Sequence, residues 1–539
     1  MPRVLIADKL EPSGVELLQA AGVEVETRLG LKGAELSAAL REFDGMIVRS
    51  QPRVAAENLE SPGKLRAIAR AGAGVDNIDV PAATRKGIVV MNTPGGNSVS
   101  AAEHTVALLL SMSRRIPAAD ATVKGGGWDR NKFVGTQVAG KTLGVIGLGR
   151  IGREVARRAK GLDMTVVALD PFVTAAKAAE LGFESAASLD ELLPRVDFLT
   201  IHVPLSEETK SLIGAKELAR MKKSARVLNV ARGGIIDEQA LADALKAGAI
   251  AGAGVDVFST EPIPADNPLL KAPNVILTPH LGASTVEAQE NVAVEAAQLM
   301  ADFLLKGQVA NAVNMASVDP KELAEVRPFV DLARRLGLLH AQIAPGAVRK
   351  ATLTYKGDLA GRKTRLLTAA FTAGLLEYRL SEGVNLVNAE VLARDRGVEI
   401  AESHNPKRGD FAALLHAEVE TERGATVAAG TLFGDQYVRL VQLGPYRMEG
   451  YLDGVLLVFT HRDLPGLIGF VGTIFGTHGV NIAQMTVGRQ APGGEAIGIL
   501  NLDSPPPEPA LAAVKGHPAI RSLTVVKLPP AGEQPGWLG

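Results

Sequence analysis

The chain has 539 residues, too many for one hydrophobic core, so three or four domains are expected. Apolar residues make up 46% and charged residues 22% with a net charge of -1, which excludes a disordered or fibrous chain and leaves no global field for nucleic acid or an anionic membrane. Cysteine is absent, which excludes disulfides and thiolate metal sites and fits a reducing compartment.

The chain enters an apolar run at Arg3–Asp8 without the long apolar core of a signal peptide, and no later run approaches a membrane span. These features predict a cytoplasmic, multidomain α/β protein. A helical pattern follows at 12–21, and further strands are expected at Gly45–Ser50 and Leu65–Arg70. Strands alternating with helices predict a parallel sheet. Asn97 and Ser98 open a long helix through about Ser113, with Glu103 in its early turns.

Residues 141–285 repeat the alternation more strictly. Strands are expected at Thr142–Gly147, Thr165–Asp170, Phe198–His202, Arg226–Val230, Gly252–Asp256 and Val275–Thr278. Short buried strands ending in Gly, Asp, His or Pro form the doubly wound pattern. A helix over 286–305 leads to Gly307, and composition changes near Ala316–Pro320, a linker. Residues 320–448 read as another unit, with helices near 321–344 and 362–378 and strand-like runs after 411. The tail reads as βαββαβ: strand 455–460, helix 465–477, strand 480–487, strand 496–502, helix 508–515 and strand 520–528. The final Pro- and Gly-rich residues are expected to fray.

Chemistry concentrates in the middle of the chain. Gly147-x-Gly149-x-x-Gly152 lies between a strand and a helix, and Asp170 ends the next strand. In that context the glycines let backbone approach a pyrophosphate at a helix N-terminus, and Asp170 can accept from ribose hydroxyls. Its charge opposes a 2′-phosphate, favouring NAD over NADP. Arg232 follows a strand at the carboxyl end of the sheet, where a guanidinium can grip a carboxylate with two hydrogen bonds. Alone it is a turn arginine, but two following glycines favour a close-approach loop. His280, after Pro279, can take a hydroxyl proton as hydride leaves. Glu261, otherwise a solvated turn carboxylate, is its natural partner. His104 and His202 are read as structural. Arg49 and Arg70 end strands in the first domain and suit a phosphate on the substrate, whereas Arg130 and Lys132 are surface charges by default.

Arg70–Asn77, Met91–Pro94, the glycine turn, Arg232, Glu261 and Pro279-His280 together resemble the long form of the D-isomer-specific 2-hydroxyacid dehydrogenase family, over almost the whole length. The resemblance implies a Rossmann-type doubly wound nucleotide domain (99–287) inserted in a flavodoxin-like substrate domain (1–98 and 288–316). An α+β intervening domain (317–450), a βαββαβ ACT domain (451–528) and a tail (529–539) follow. It implies catalytic roles for Arg232, Glu261 and His280, and cofactor contacts from Arg150, Ile151, Asp170, Ala231, Arg232, Asp256, His280 and Gly282 beside the three glycines. Substrate contacts map to Arg49, Arg70, Asn97 and Arg232, with Arg130 and Lys132 reaching a neighbouring subunit of a homo-oligomer, dimer or tetramer. Ala73 and Val203 stand where relatives often carry Thr. His461, Asp463 and Asn481 match segments that bind L-serine in ACT domains. The activity implied is NAD-dependent oxidation of 3-phospho-D-glycerate to 3-phosphohydroxypyruvate in L-serine synthesis, with serine feedback. Two alternatives remain: a related enzyme acting on glyoxylate, hydroxypyruvate or 2-oxoglutarate, and a catalytically silent NAD-sensing regulator.

Overall fold

The computed structural model describes residues 1–315, 320–380, 383–434 and 436–533. The expected linker at 316–320 lies largely outside the described residues, as does the end of the expected tail.

The first sheet has five parallel strands in the spatial order Glu24–Thr27, Arg3–Ile6, Gly45–Val48, Ala67–Arg70, Val89–Asn92. This is the flavodoxin-like order expected from the resemblance. Gly45–Val48 is apolar throughout and Ala67–Arg70 is apolar up to its terminal arginine, because helices cover both faces. One covering helix, Val286–Lys306, comes from the far side of the nucleotide unit and lays Val292, Ala296, Met300 and Phe303 into the core around Val4, Leu18, Ile47 and Ala69. The nucleotide sheet is therefore an insertion in the first one.

That second sheet has seven parallel strands in the order Val275–Leu277, Gly252–Val255, Arg226–Asn229, Phe198–Ile201, Thr142–Ile146, Thr165–Leu169, Glu184–Ser185. Strand order reverses between Thr142–Ile146 and Phe198–Ile201, and the crevice beyond the carboxyl ends at such a reversal is where doubly wound sheets bind ligands. Helix Ser98–Arg114 joins the two units. Asn97 stands at its N-cap but makes no capping bond; its Oδ1 is shielded from solvent and has no partner among the described residues.

Downstream, a six-stranded sheet runs Glu399–Asn405, Val348–Gly357, Ala413–Thr421, Gly424–Phe433, Tyr437–Leu443, Tyr446–Tyr451, packed by helices Pro320–Ile343 and Arg365–Glu377. Strands Val348–Gly357 and Glu399–Asn405 correct the sequence reading, which placed strands only after 411. The last sheet, Ile482–Arg489, Glu495–Leu502, Val455–Arg462, Ile520–Lys527, is antiparallel, with helices Leu467–Thr477 and Glu508–Lys515, giving the expected βαββαβ unit. One apolar core runs through both sheets: Leu336, Phe371 and Leu440 share it with Leu456, Ile499 and Val526. The start of the tail, up to Glu533, is anchored, and the last residues, for which fraying is expected, lie outside the described residues. The fully buried Arg335 donates to the carbonyls of Leu452, Pro529, Pro530 and Glu533, and to Asp331.

Candidate active site

Arg232, Glu261 and His280 leave the carboxyl side of three neighbouring strands. Beyond Arg226–Asn229, the buried Asn229 amide donates to the Arg232 carbonyl (2.9 Å) and accepts from the Ala231 N–H (3.1 Å). That fixes the turn carrying Arg232. A side chain at Gly233 would begin 1.9 Å from the Phe258 carbonyl oxygen, so the Arg232 loop packs directly on the segment bearing Glu261.

Glu261 accepts from the Phe258 N–H (3.0 Å) through Oε1, and its Oε2 lies 2.7 Å from His280 Nδ1. Burial by itself raises the Glu261 carboxyl, but the hydrogen bonds from His280 and the Phe258 N–H outweigh it and hold the group below the usual carboxylate range. His280 is left-handed (φ 57°), a conformation that a β-carbon makes costly and that needs outside support. Asp256 supplies it. This residue is wholly buried, and its carboxylate accepts from Thr278 Oγ1 (2.6 Å), the Leu281 N–H (2.8 Å) and the Gly282 N–H (2.9 Å), with His104 Nε2 at 3.2 Å. Burial raises the Asp256 carboxyl, yet those bonds bring it below its ordinary value. The backbone carbonyl of Asp256 also accepts from the His280 N–H (2.9 Å).

Facing this dyad is a cluster of cations. Arg70 Nε donates to the Arg49 carbonyl (3.0 Å). Burial, with the charges of Arg232 and Arg49 adding to it, pulls the Arg70 guanidinium down to about 10 against the opposing pull of Asp76 and Asp8. Arg232 Nε donates to Asp76 Oδ2 (3.0 Å) and its Nη1 to the Ala231 carbonyl (2.7 Å). Three guanidinium groups thus cluster around Arg70, and the loop of Arg232 links them to the segment that carries Glu261, the partner of His280. Together they can hold an anion at two ends and move a proton between them.

The glycine turn fits a dinucleotide. Gly147 is left-handed (φ 88°), and a side chain at Gly152 would begin 2.0 Å from the Gly147 carbonyl oxygen. A side chain at Gly149 would meet nothing within 4 Å, so the backbone there opens on space at the N-terminus of helix Arg150–Gly161. Asp170 accepts from the Leu148 N–H (2.7 Å) and the Phe172 N–H (2.8 Å), tying the turn to the end of the next strand. Arg150 Nη1 comes within 3.5 Å of the side-chain position at Gly95, bridging towards the first unit, and Ile151 packs on the core beneath. Gly282 sits against Val230 and the Asp256 carboxylate. His202 Nε2 lies 2.9 Å from the Thr200 hydroxyl, and burial pushes its imidazole down to about 4.

Arg130 and Lys132 do not join the cleft of their own chain. Arg115 donates both to the Lys132 carbonyl and to Asn274, which precedes strand Val275–Leu277 at the amino edge of the sheet, opposite the site. In the last unit His461 is buried, its Nδ1 lying 2.9 Å from the Arg462 carbonyl and its Nε2 without a partner among the described residues. Asp463 accepts from Arg489 (2.9 Å) and the Gly493 N–H (3.1 Å), and Asn481 donates to Asp503 (2.8 Å).

Sequence reasoning missed Asp76, Asn229, Thr278 and the reach of His104. Asn229 carried a signal, since it is the polar last residue of a buried strand, whereas Asp76 stands farther out in the loop after Ala67–Arg70. Thr278 and His104 carried none, because only the fold brings them to Asp256.

Residues 106–282 match the family described as D-isomer specific 2-hydroxyacid dehydrogenase, NAD binding domain, and residues 325–444 match the D-3-phosphoglycerate dehydrogenase intervening domain. The chain is 42% identical over 528 residues to D-3-phosphoglycerate dehydrogenase of Archaeoglobus fulgidus, covering 98% of this chain and 100% of that one. It is 38% identical over 530 residues to the Bacillus subtilis protein of the same name, with the same coverage. Among solved structures, the TT0316 protein of Thermus thermophilus superposes with a TM-score of 0.52 at 35% identity, covering 58% of this chain and 99% of that one. D-lactate dehydrogenase of Escherichia coli also superposes with a TM-score of 0.52, at 27% identity, and with the same coverage.

Proposed function

The chain belongs to the D-3-phosphoglycerate dehydrogenase family, and from that premise we propose that it oxidises 3-phospho-D-glycerate to 3-phosphohydroxypyruvate, the first step of L-serine synthesis. The observation that carries the reading is the Glu261–His280 pair on the segment that packs against the loop of Arg232, which in turn clusters with Arg49 and Arg70.

NAD, when bound, supplies the hydride acceptor. The remaining work falls to the chain. Arg232 binds the substrate carboxylate and favours negative charge on the reacting oxygen. With Nδ1 held by Glu261, His280 offers Nε2 to the substrate hydroxyl and takes its proton; Glu261 balances the imidazolium that forms. Arg49 and Arg70 neutralise the phosphate at the far end. The open backbone at Gly149 and the helix N-terminus behind it hold the cofactor pyrophosphate, and Asp170 receives the ribose hydroxyls and disfavours a 2′-phosphate. Among the described residues no helix is long and apolar enough to cross a membrane.

Two finer assignments belong to this reading. Arg130 and Lys132, exposed at the amino edge of their own sheet, are read as serving the cleft of a second copy in a homo-oligomer; their distance from the ends of the strands that carry the site supports this. His461, Asp463 and Asn481 form an L-serine site that lowers turnover when filled.

The test is a substrate panel with and without L-serine. NADH should form with 3-phosphoglycerate; turnover of unphosphorylated 2-hydroxy acids alone rejects the proposal. Asn481→Ala should leave turnover intact and blunt serine inhibition, and undiminished inhibition in that variant removes the effector assignment.

A further inference from the structure

The Asp76–Arg232 pair joins the two units across the cleft. Asp76 lies in the loop after strand Ala67–Arg70 of the first sheet, and Arg232 in the loop after Arg226–Asn229 of the second, 156 residues later. Both are open to solvent, with side-chain exposures of 68% for Asp76 and 29% for Arg232. An ion pair that exposed adds little to stability, so holding the fold together does not account for it.

The geometry of the guanidinium points elsewhere. Arginine has five N–H donors in a rigid plane. Here Nε is spent on Asp76 and one Nη1 hydrogen on the Ala231 carbonyl, which leaves the rest of the fork open. The loop is shaped around this arrangement. A side chain at Gly74 would begin 1.9 Å from Arg232 Nη2 and 2.7 Å from Asp76 Oδ2, so only a glycine lets the guanidinium lie against this strip of backbone. Arg70 and Arg49 bring like charge to the same place, and Asp76 is the carboxylate that offsets Arg232 among them. Without it, repulsion favours an Arg232 swung out towards solvent.

We propose that Asp76 is a positioning residue: by holding Arg232 Nε across the cleft it fixes which edge of the guanidinium faces the substrate carboxylate. The inference rests on reading Arg232 as the substrate-binding arginine. It gives the first unit a share in presenting a residue of the second, so that the substrate meets a preset fork and spends none of its binding on gathering it.

The experiment compares Asp76→Ala, Asp76→Asn, Arg232→Lys and the double variant Asp76→Ala/Arg232→Lys in the full-length enzyme. The readouts are KM and kcat for 3-phosphoglycerate, Kd for NADH, and Tm. Asp76→Ala should raise KM about tenfold or more and lower kcat, with Kd for NADH and Tm close to wild type. Asp76→Asn keeps an oxygen for Nε and should recover a large part of the loss. Lysine has no Nε edge, so on the Arg232→Lys background Asp76→Ala should add almost nothing. An unchanged or lowered KM in Asp76→Ala overturns the proposal, the lowered value marking Asp76 as a charge that merely repels the substrate. An equal loss on the Arg232→Lys background, or loss of NADH binding and Tm alongside activity, overturns it too. Failure of the wild type to oxidise 3-phosphoglycerate is a separate result that rejects the activity; the same cycle is then read on the 2-hydroxy acid that the wild type does oxidise.

Discussion

Arg232 in the cleft and Arg335 at the junction of the last two sheets put the same side chain to opposite uses. Arg335 is 1% exposed, and each of its five donors has an acceptor: Asp331 and the carbonyls of Leu452, Pro529, Pro530 and Glu533. Arg232 is partly open, makes two bonds with its own chain, and stands among like charges with Asp76 as its paired carboxylate. A saturated guanidinium is a fastener, since any donor left over in a buried site costs free energy. An unsaturated one beside other cations is kept ready for a ligand. The contrast separates a cleft guanidinium whose donors are left partly unanswered from a junction guanidinium whose donors are all closed on its own chain.

Three variants test that division, taken from the largest expected effect. His280→Ala should lower kcat by about 10²- to 10⁴-fold, the usual worth of a positioned acid–base group, with Kd for NADH and Tm nearly unchanged because the imidazole is half exposed. A kcat within a few-fold of wild type would remove His280 from the chemistry. Arg335→Met should do the reverse. It strands a buried carboxylate and four carbonyls, costs about 3–5 kcal/mol of stability, and leaves kcat/KM close to wild type where the protein is still folded. An unaltered urea midpoint would show that the junction is not a fastener.

The third and smallest effect concerns acid. Burial, with the His416 charge adding to it, lowers the His340 imidazole to about 3, so this group is neutral in the fold. The unfolded chain takes up that proton below about pH 6.5. Stability in the C-terminal half should therefore be full above that value and decline as pH falls from about 6.5 towards 3. His340→Gln, which keeps a polar partner for Thr426, should flatten the decline in urea midpoint between pH 7.5 and 5. An identical slope in the variant would assign the acid sensitivity to other groups.

What the sequence made legible follows the range of the interactions involved. The glycine turn, Asp170 and the strand ends bearing Arg232 and His280 are local patterns, and the structure has them at the ends of buried parallel strands. Strand Glu24–Thr27 was missed because an edge strand that alternates Glu with smaller residues looks like a solvated loop. Glu399–Asn405, also an edge strand and largely polar, was hidden in the same way. The pairing of Asp76 with Arg232 and the convergence of His104 and Thr278 on Asp256 join residues far apart in the chain, which no spacing rule reaches. The described start of the tail, residues 529–533, is a different case. Its prolines and glycine read as loose, yet it is held through backbone carbonyls, and a carbonyl leaves no mark in composition.

The core shared by the last two sheets bears on how portable the βαββαβ unit is. Its boundaries look clean in the sequence, as though it could be cut out and transplanted onto an unrelated enzyme. Leu456, Ile499 and Val526, however, are packed against the helices of the preceding sheet, and Arg335 on one of those helices grips both ends of the unit. A graft starting at Val455 would leave that face bare and the Pro529 carbonyl without its arginine. The smallest heritable cassette on this architecture is the pair of sheets together with helix Pro320–Ile343, and recombination that respects this larger unit should yield folded chimeras where cuts at the apparent boundary should not.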